Sequence, residues 1–373
     1  MPRKPVIGIL QPRDPDRTAE FRVAASIAVP VLVLLLRDQP HLIVYAAFGA
    51  FTGMYGRGAA WPERLRSQLA GAGLIAVGAG TGVLLAAAGA PFPVVLLVET
   101  AYAAAGSCWA DRTSLNPRGP FFGIFALGAC ASITPPNPPA YAILITTGTA
   151  ALALAVTAVD AWVRCARNGD QAVGGRAPAV PRSAGARAME YALVVLSAGT
   201  AGYVLGWGHS YWAMASAAVP LAAADLPGRI GRGLHRIIGT LAGLIVTAAV
   251  LVGTPPPGFL AIVVIVLIIP TEALMSRHYA AALVFFTPMI LIMTQLAAPV
   301  PRSQLIVDRA AETALGAVIG MLVVCAISGT EALLRRATAR TRERRPPAAR
   351  VPSSEGARSG VRTVAGGTLS SRR

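Results

Sequence analysis

Long apolar runs without a charged residue alternate with short polar segments along most of this chain. No Asp, Glu, Lys or Arg occurs in five stretches, namely 67–98, 119–159, 191–224, 237–271 and 279–301. A helix needs about 20 apolar residues to cross the hydrocarbon core of a bilayer, so each stretch can cross at least once. Turns rich in Pro and Gly, as at 134–139 and 253–258, interrupt the longer stretches. Such turns must reach water, because lipid cannot satisfy open backbone groups.

The pattern predicts an all-α fold, a polytopic transmembrane helical bundle of about twelve spans. A polar cytosolic head, 1–20, precedes the spans, and a cytosolic linker, 164–187, divides them. A basic tail, 335–373, follows them and is expected to be disordered because it lacks a periodic apolar pattern. The predicted spans are 21–36, 41–56, 69–88, 92–108, 120–133, 141–163, 188–205, 210–224, 237–252, 258–276, 279–297 and 312–334.

The two halves of the chain resemble each other after a shift of 170 residues. The shift places Glu20 on Glu190 and Arg66 on Arg236, and it superposes six spans on six. This predicts two membrane repeats, 21–163 and 188–334. Because each repeat has an even number of spans, the repeats are parallel and related by an axis along the membrane normal.

The positive charges predict the orientation of the chain. With a cytosolic N-terminus, all but three of the 33 Lys and Arg residues face the cytosol, the exceptions being Arg37, Arg302 and Arg309. We therefore expect a multi-pass protein of the plasma membrane with both termini in the cytosol. The same asymmetry explains the net charge of +16 without a nucleic-acid partner. Anionic lipid head groups are the expected partner of the basic tail.

No pattern for catalysis or for metal binding is present. Lys4 is the only lysine, which excludes the Gly-Lys-Ser/Thr element of a P-loop ATPase. The HExxH, paired CxxC and GxSxG patterns are also absent. The sequence predicts neither an enzyme nor a cofactor, and it leaves a homo-oligomer open.

Two of the acidic residues within the predicted spans are candidate site residues. Glu99 is at the middle of its span, where a charged carboxylate facing lipid costs a few kcal/mol. It is expected to face the protein, either as a residue of the transport or proton-coupling path or as a neutral, hydrogen-bonded structural group. Glu272 lies closer to the cytosol, near Arg277 and His278, and is interpreted as a coupling residue or a structural ion-pair partner.

Basic residues open the third and ninth spans. Arg66 precedes the third, and Arg232, His235 and Arg236 precede the ninth. One interpretation is that they only anchor and orient their helices at the interface. The other is that they bind an anion, since a guanidinium adds to the positive end of a helix dipole. Arg309, just before the last span, is a candidate coupling or structural residue.

Two segments of the second half resemble a known family. These are His-Arg-Ile-Ile-Gly-Thr-Leu-Ala-Gly at 235–243 and Asp-Arg-Ala-Ala-Glu-Thr-Ala-Leu-Gly-Ala at 308–317. They resemble the fusaric acid resistance protein-like (FUSC) family, which includes bacterial aromatic acid exporters and is similar to plant aluminium-activated malate transporters. The resemblance implies outward transport of organic or aromatic carboxylate anions. In the first half the pattern departs from the family, with Arg-Ser-Gln-Leu-Ala-Gly at 66–71.

Three functions are compatible with the sequence. The first is a secondary exporter of organic anions, driven by the proton gradient because no ATPase motif is present. The second is a passive organic-anion channel, which would not transport against a gradient. The third is a membrane scaffold that recruits partners through its basic tail.

Overall fold

The computed structural model describes residues 19–168, 184–275 and 277–343. Within these ranges the chain forms helices and turns and no strand, which confirms the predicted all-α class. The predicted head 1–20, linker 164–187 and tail 335–373 lie largely outside the described residues. The chain divides into two compact units, Met1–Ser328 and Gly329–Arg373. Helices α1 to α11 and the larger part of α12 belong to the first unit.

The described residues form α-helices joined by short turns. Short 3₁₀ segments at Pro40–Leu42 and Phe51–Met54 flank α2, and a third at Pro220–Ala222 follows α8. The helices are α1 (Ala19–Leu36), α2 (Ile43–Ala50), α3 (Trp61–Ala87), α4 (Phe92–Arg112), α5 (Phe121–Ala131), α6 (Ala140–Asn168), α7 (Ala184–Val204), α8 (Tyr211–Ala218), α9 (Leu226–Val250), α10 (Pro257–Met275), α11 (Tyr279–Ala297) and α12 (Arg302–Glu343).

Seven helices in the described part of the chain are long and apolar enough to cross a membrane. They are α3, α4, α6, α9, α10, α11 and α12. Helices α1 and α5 contain shorter apolar stretches, while α2 and α8 have only eight residues each. The chain is therefore a multi-pass membrane protein. Each predicted span overlaps one helix, but this alone does not establish twelve crossings.

Three helices begin well before the spans predicted for them. Helix α3 begins at Trp61, α9 at Leu226 and α12 at Arg302, whereas the predicted spans began at 69, 237 and 312. The predicted starts were too late here because each predicted span left out the arginines that precede it. In the structure the first turns of these helices carry arginines, and several of these arginines are buried, including Arg236 and Arg309. Charged turns therefore extend into the bundle.

Glycines set the closest contacts between helices. Gly78 and Gly82 of α3 lie against the backbone of α5, and Gly239 and Gly243 of α9 lie against α11. Gly316 of α12 meets the backbone of α8, where a Cβ would collide with a carbonyl oxygen. Small residues allow helices to approach closely in lipid, where no hydrophobic force drives them together. The other extensive helix pairs are α4 with α7, α10 with α11, α2 with α6, and α1 with α10.

The shortest helices form the centre of the bundle. Every residue of α2 and of α8 is buried. Aromatic rings join α2 and the 3₁₀ segment after it to their neighbours, with ring centroids of Phe48 and Phe125 5.4 Å apart and those of Phe51 and Phe286 5.8 Å apart. Edge and tilted packing of this kind favours a rigid core. The aromatic core adjoins a cavity, because the ring of Phe286 belongs to the core and also lines the cavity.

Candidate functional site: a cationic cavity

A cavity of about 240 Å³ opens at the end of the bundle where the turns after α2, α4, α8 and α10 meet. Four arginines and one carboxylate line it, namely Arg57, Arg118, Arg232, Arg236 and Glu272. Four aromatic rings line it as well, those of Phe121, Phe122, Tyr279 and Phe286. The cavity thus combines guanidinium groups with apolar, aromatic surface.

Helix α9 supplies two of the four arginines from one face. Arg232 and Arg236 are four residues apart, so their side chains project on the same side. The guanidinium of Arg232 lies over the ring of Tyr279, with Cζ 4.8 Å from the ring centroid. That of Arg236 lies over Phe121 at 5.5 Å. Both contacts are cation–π interactions, which stabilise the flat face of a guanidinium and leave its N–H edges for other partners.

Arg236 has open hydrogen-bonding capacity in a fully buried position. Its relative exposure is 0%, and its Nε donates to Oγ of Ser216 at 3.3 Å. Neither Nη1 nor Nη2 has a hydrogen-bond partner among the described residues. A buried charge without an opposite partner is strongly destabilising. Two parallel N–H groups of a guanidinium match the two oxygens of a carboxylate, so Arg236 is suited to bind an anion.

Glu272 forms an ion pair across the cavity. Its carboxylate pairs with Nη2 of Arg57, and Nη1 of the same arginine donates to the backbone oxygen of Glu272 at 2.7 Å. The carboxylate is buried, with an exposure of 1%. The sequence suggested nearby basic residues as partners, and the structure adds Arg57, a partner 215 residues away in the chain.

Arg309 lies deeper in the bundle, on α12. It is fully buried, and its guanidinium lies over the ring of Trp212 with Cζ 5.0 Å from the centroid. Nε, Nη1 and Nη2 have no hydrogen-bond partner among the described residues. The charges of Arg309 and Arg236 are close enough to repel each other. Arg309 therefore lies inside the bundle, while its position on the outer side of the membrane stays a prediction.

Glu99 is buried in a different part of the bundle. Its exposure is 0%, and neither carboxylate oxygen has a hydrogen-bond partner among the described residues. Both oxygens lie beside Gly128 of α5, where an added Cβ would come within 3.0 and 3.1 Å of them. Glu99 does not line the cationic cavity. Its interior position is thus observed, while its role in transport stays a prediction.

Two of the candidate basic residues lie apart from the cavity. Arg66 is exposed on α3. His235 is half-buried and stacks on His278, with ring centroids 6.0 Å apart. Neither residue lines the cavity. The structure therefore brings together Arg232, Arg236 and Glu272, but it does not place Arg66 with Arg236.

Sequence reasoning missed several residues of the cavity. Arg57 and Arg118 were counted only as cytosolic positive charges, although each lies in a turn beside an apolar span. Phe121 and Ser216 contact Arg236. Nothing in the sequence distinguished them from the other residues of their apolar segments. A pair of such turns at one end of a bundle could have suggested a shared cationic surface.

The comparisons with known proteins support a membrane family. Residues 196–323 match the family model for fusaric acid resistance protein-like proteins. The chain is also 29% identical over 151 residues to the uncharacterized membrane protein YvaC of Bacillus subtilis (strain 168). That match covers 40% of this chain and 23% of the relative, so the chain spans about a quarter of the relative's length. No solved structure matches the chain.

The family match contains the central residues of the site. Arg232 and Arg236, Glu272 and Arg309 all fall within the matched residues, whereas Arg57 lies in the first half of the chain. The resemblance noted at residues 235–243 and 308–317 is thereby confirmed, because both segments lie within residues 196–323, which match the model of fusaric acid resistance protein-like proteins.

Proposed function

We propose that this protein is a secondary transporter that exports organic anions, including aromatic carboxylates, across the plasma membrane. The observation that carries the proposal is the buried guanidinium of Arg236 at the cationic cavity. Its two terminal nitrogens have no partner among the described residues. An anionic substrate would supply the missing negative charge and hydrogen-bond acceptors.

The chemistry of the cavity lining supports a small anion with an apolar body. Four arginines outnumber the one carboxylate, so the cavity attracts negative charge. Four aromatic rings offer flat apolar surface to an aromatic ring or a short carbon chain. The volume of about 240 Å³ is below the roughly 300–1,000 Å³ of drug-sized sites, which favours a small metabolite.

Two buried arginines extend the cationic surface into the bundle. Arg236 lies ten residues from the start of α9, and Arg309 lies seven residues from the start of α12. At 1.5 Å per residue these positions are about 15 and 10 Å along their helices. The hydrocarbon core is about 30 Å thick, so both charges fall at membrane depth. An anion that leaves Arg236 can therefore bind next to a second guanidinium, that of Arg309 on α12.

The helix pairing supports twelve crossings in two parallel repeats. Helix α3 packs on α5 as α9 packs on α11, and α4 packs on α7 as α1 packs on α10. Helix α2 packs on α6, while α8 meets the glycine face of α12. A shift of six helices relates these pairs to one another, as a duplication of six spans would. The short central helices α2, α5 and α8 would cross together with their flanking turns.

The orientation from the positive charges would open the cavity to the cytosol. The turns after α2, α4, α8 and α10 then lie on the cytosolic side, where most Lys and Arg residues are expected. An anion entering there moves outward along the membrane potential, which contributes about 2.3 kcal/mol per unit charge for every 100 mV. Uphill export beyond that contribution would require a coupled ion such as the proton.

Counterflow of radiolabelled aromatic acids in reconstituted vesicles tests this function. The protein should exchange internal unlabelled acid for external labelled acid with saturable kinetics. Arg236→Ala should reduce this exchange most, because it removes both the charge and the N–H fork. Arg236→Lys keeps the charge but loses the fork, so its defect should be smaller.

Arg66→Ala provides a matched control. This arginine is equivalent to Arg236 under the shift of 170 residues, but it is exposed and lies outside the cavity. Its loss should affect counterflow less than the loss of Arg236. Normal counterflow by well-folded Arg236→Ala protein would make Arg236 an orientation anchor and would contradict the proposed path.

A further inference from the structure

A cluster of titratable residues surrounds Arg309 on the side away from the cationic cavity. The backbone N–H of His209, in the turn before α8, donates to Oε1 of Glu312 at 2.9 Å. Nδ1 of the same histidine lies 3.2 Å from Oδ2 of Asp308. The imidazole stacks on Trp212, with ring centroids 4.6 Å apart and planes 14° from parallel. The turn that carries His209 is thus fixed against α12.

Glu312 and Arg309 form an incomplete ion pair inside the bundle. Both are fully buried, and they are three residues apart on the same face of α12. Oε2 of Glu312 and all three guanidinium nitrogens of Arg309 have no hydrogen-bond partner among the described residues. The two charges nevertheless affect each other. Because side chains three residues apart are neighbours on a helix, each is an available partner for the other.

We propose that Glu312 is an internal competitor for the anion site at Arg309 and that it releases the transported anion to the outer side. This inference rests on the proposed function. A protonated Glu312 leaves Arg309 to the substrate. When Glu312 loses its proton to water on the outer side, its carboxylate forms an ion pair with the guanidinium of Arg309. The substrate anion is thereby displaced and leaves. Reprotonation from the same side restores the site, so no net proton crosses the membrane.

Four titratable or charged groups surround Glu312, and two of them are partly exposed. Asp308 and Arg309 face it from α12, and His209 and Tyr211 face it from α8 and the turn before it. The side chains of His209 and Asp308 are partly exposed, at 14% and 17%. They can exchange a proton with water at the end of the bundle opposite the cavity. The pH on that side should therefore set the charge of Glu312.

A group that displaces the anion is needed because the proposed path would otherwise bind it too tightly. Two buried guanidiniums without a protein counter-charge would hold an anion tightly. Transport requires binding that is favourable enough for entry and weak enough for departure. A carboxylate three residues from Arg309 shortens the occupancy of the site by competing for the same N–H groups. The competitor is covalently attached, so its local concentration is always high.

The test measures transport of radiolabelled benzenesulfonate in proteoliposomes with the pH set separately on each side. A sulfonate stays anionic throughout, so any pH dependence belongs to the protein. Glu312→Gln mimics the protonated carboxyl and still accepts the N–H of His209. It should lower KM at least about fivefold, which is the lower end of the usual range for coupling between two binding sites. It should also lower the maximal rate, because the anion is released more slowly. It should also abolish the dependence on outer pH.

Glu63→Gln is the control for the loss of one carboxylate. Glu63 is exposed on the first turn of α3 and does not line the cavity. This variant should keep the KM, maximal rate and outer-pH dependence of the parent protein. A change in Glu63→Gln as large as that in Glu312→Gln would overturn the inference, because the effect would then be one of net charge.

The possible outcomes separate this inference from the proposed function. Absence of saturable flux in the parent protein, with benzenesulfonate and with aromatic carboxylates, contradicts the proposed function. Saturable flux with an unchanged KM and pH dependence in Glu312→Gln overturns only the release role. If that variant does not fold, KM of the parent protein is compared at outer pH of about 5.5 and about 8.5. KM must rise with outer pH, and a constant KM overturns the inference.

Discussion

Removing the carboxylate of Glu272 should strengthen anion binding in the cationic cavity. Among the residues that line the cavity, Glu272 is the only acid, and four arginines accompany it. Glu272→Gln keeps the size of the side chain but raises the formal charge of the lining from three positive charges to four. An anion in the cavity therefore loses one repulsive partner.

The size of the cavity gives the magnitude of this effect. A sphere of 240 Å³ is about 8 Å across, which sets the distance between the carboxylate and a bound anion. At an effective dielectric constant of about 20, two unit charges at about 8 Å repel by about 2 kcal/mol, or about thirtyfold in affinity. Screening over a Debye length of about 8 Å reduces the gain to about fourfold. The KM of Glu272→Gln should therefore be lower than that of the parent protein by a factor between about 4 and about 30.

Inside-out vesicles allow KM to be measured from the cavity side. The fall in KM for Glu272→Gln should be larger at low ionic strength, because screening is then weaker. The double variant Arg57→Gln/Glu272→Gln restores the net charge of the lining. Its KM should return to within about twofold of the parent value if the effect is electrostatic.

An unchanged or higher KM in folded Glu272→Gln would refute the reasoning. Folding must be checked by thermal unfolding in detergent, because the variant also loses the ion pair with Arg57. A KM that stays low in the double variant would also count against the electrostatic account. It would assign the effect to a local change of shape.

Three further predictions follow from the bundle. If Glu99 couples protons, Glu99→Gln should abolish transport driven by a pH gradient while leaving the unfolding temperature unchanged; unaltered transport would assign it a structural role. Gly316→Val should lower the unfolding temperature at a cost of about 1–3 kcal/mol, because the Cβ of residue 316 meets the backbone of α8. Gly148→Val, with no atom within 4 Å, is its control, and equal effects would refute the packing argument. Cysteines introduced at Ala172 and Gly360 should react only from the cytosolic side, and labelling from outside would overturn the orientation.

The sequence predicted the chemistry of α9 better than its extent. The pattern at residues 235–243 singled out Arg236, and Arg232 was named with it as a basic residue before the ninth span. Windows of apolar residues nevertheless began the span at 237, after both charges. A buried guanidinium stacked on an aromatic ring can lie inside a helix bundle, and a hydropathy pattern cannot recognise that environment. The same reason explains why the predicted last span began after Arg309, although Arg309 is buried.

Long-range partners could not be inferred from one sequence. Arg57 follows a short central helix and resembles any cytosolic arginine, yet it pairs with Glu272 across 215 residues. Phe121 begins a helix whose apolar pattern gives no indication of which ring faces Arg236. Conversely, Glu99 could be placed in the interior from sequence alone, because a carboxylate at mid-span avoids lipid. The burial of a charged residue can thus be predicted from the sequence, whereas its interaction partners depend on tertiary packing.

The location of a bound anion tests the central claim most directly. Crystals of the protein soaked with para-bromobenzoate would reveal the ligand through the anomalous scattering of bromine. The account predicts the carboxylate at the open Nη groups of Arg236, with the brominated ring among Phe121, Phe122 and Phe286 in the cavity. A ligand bound elsewhere, with Arg236 paired to a protein carboxylate, would contradict it.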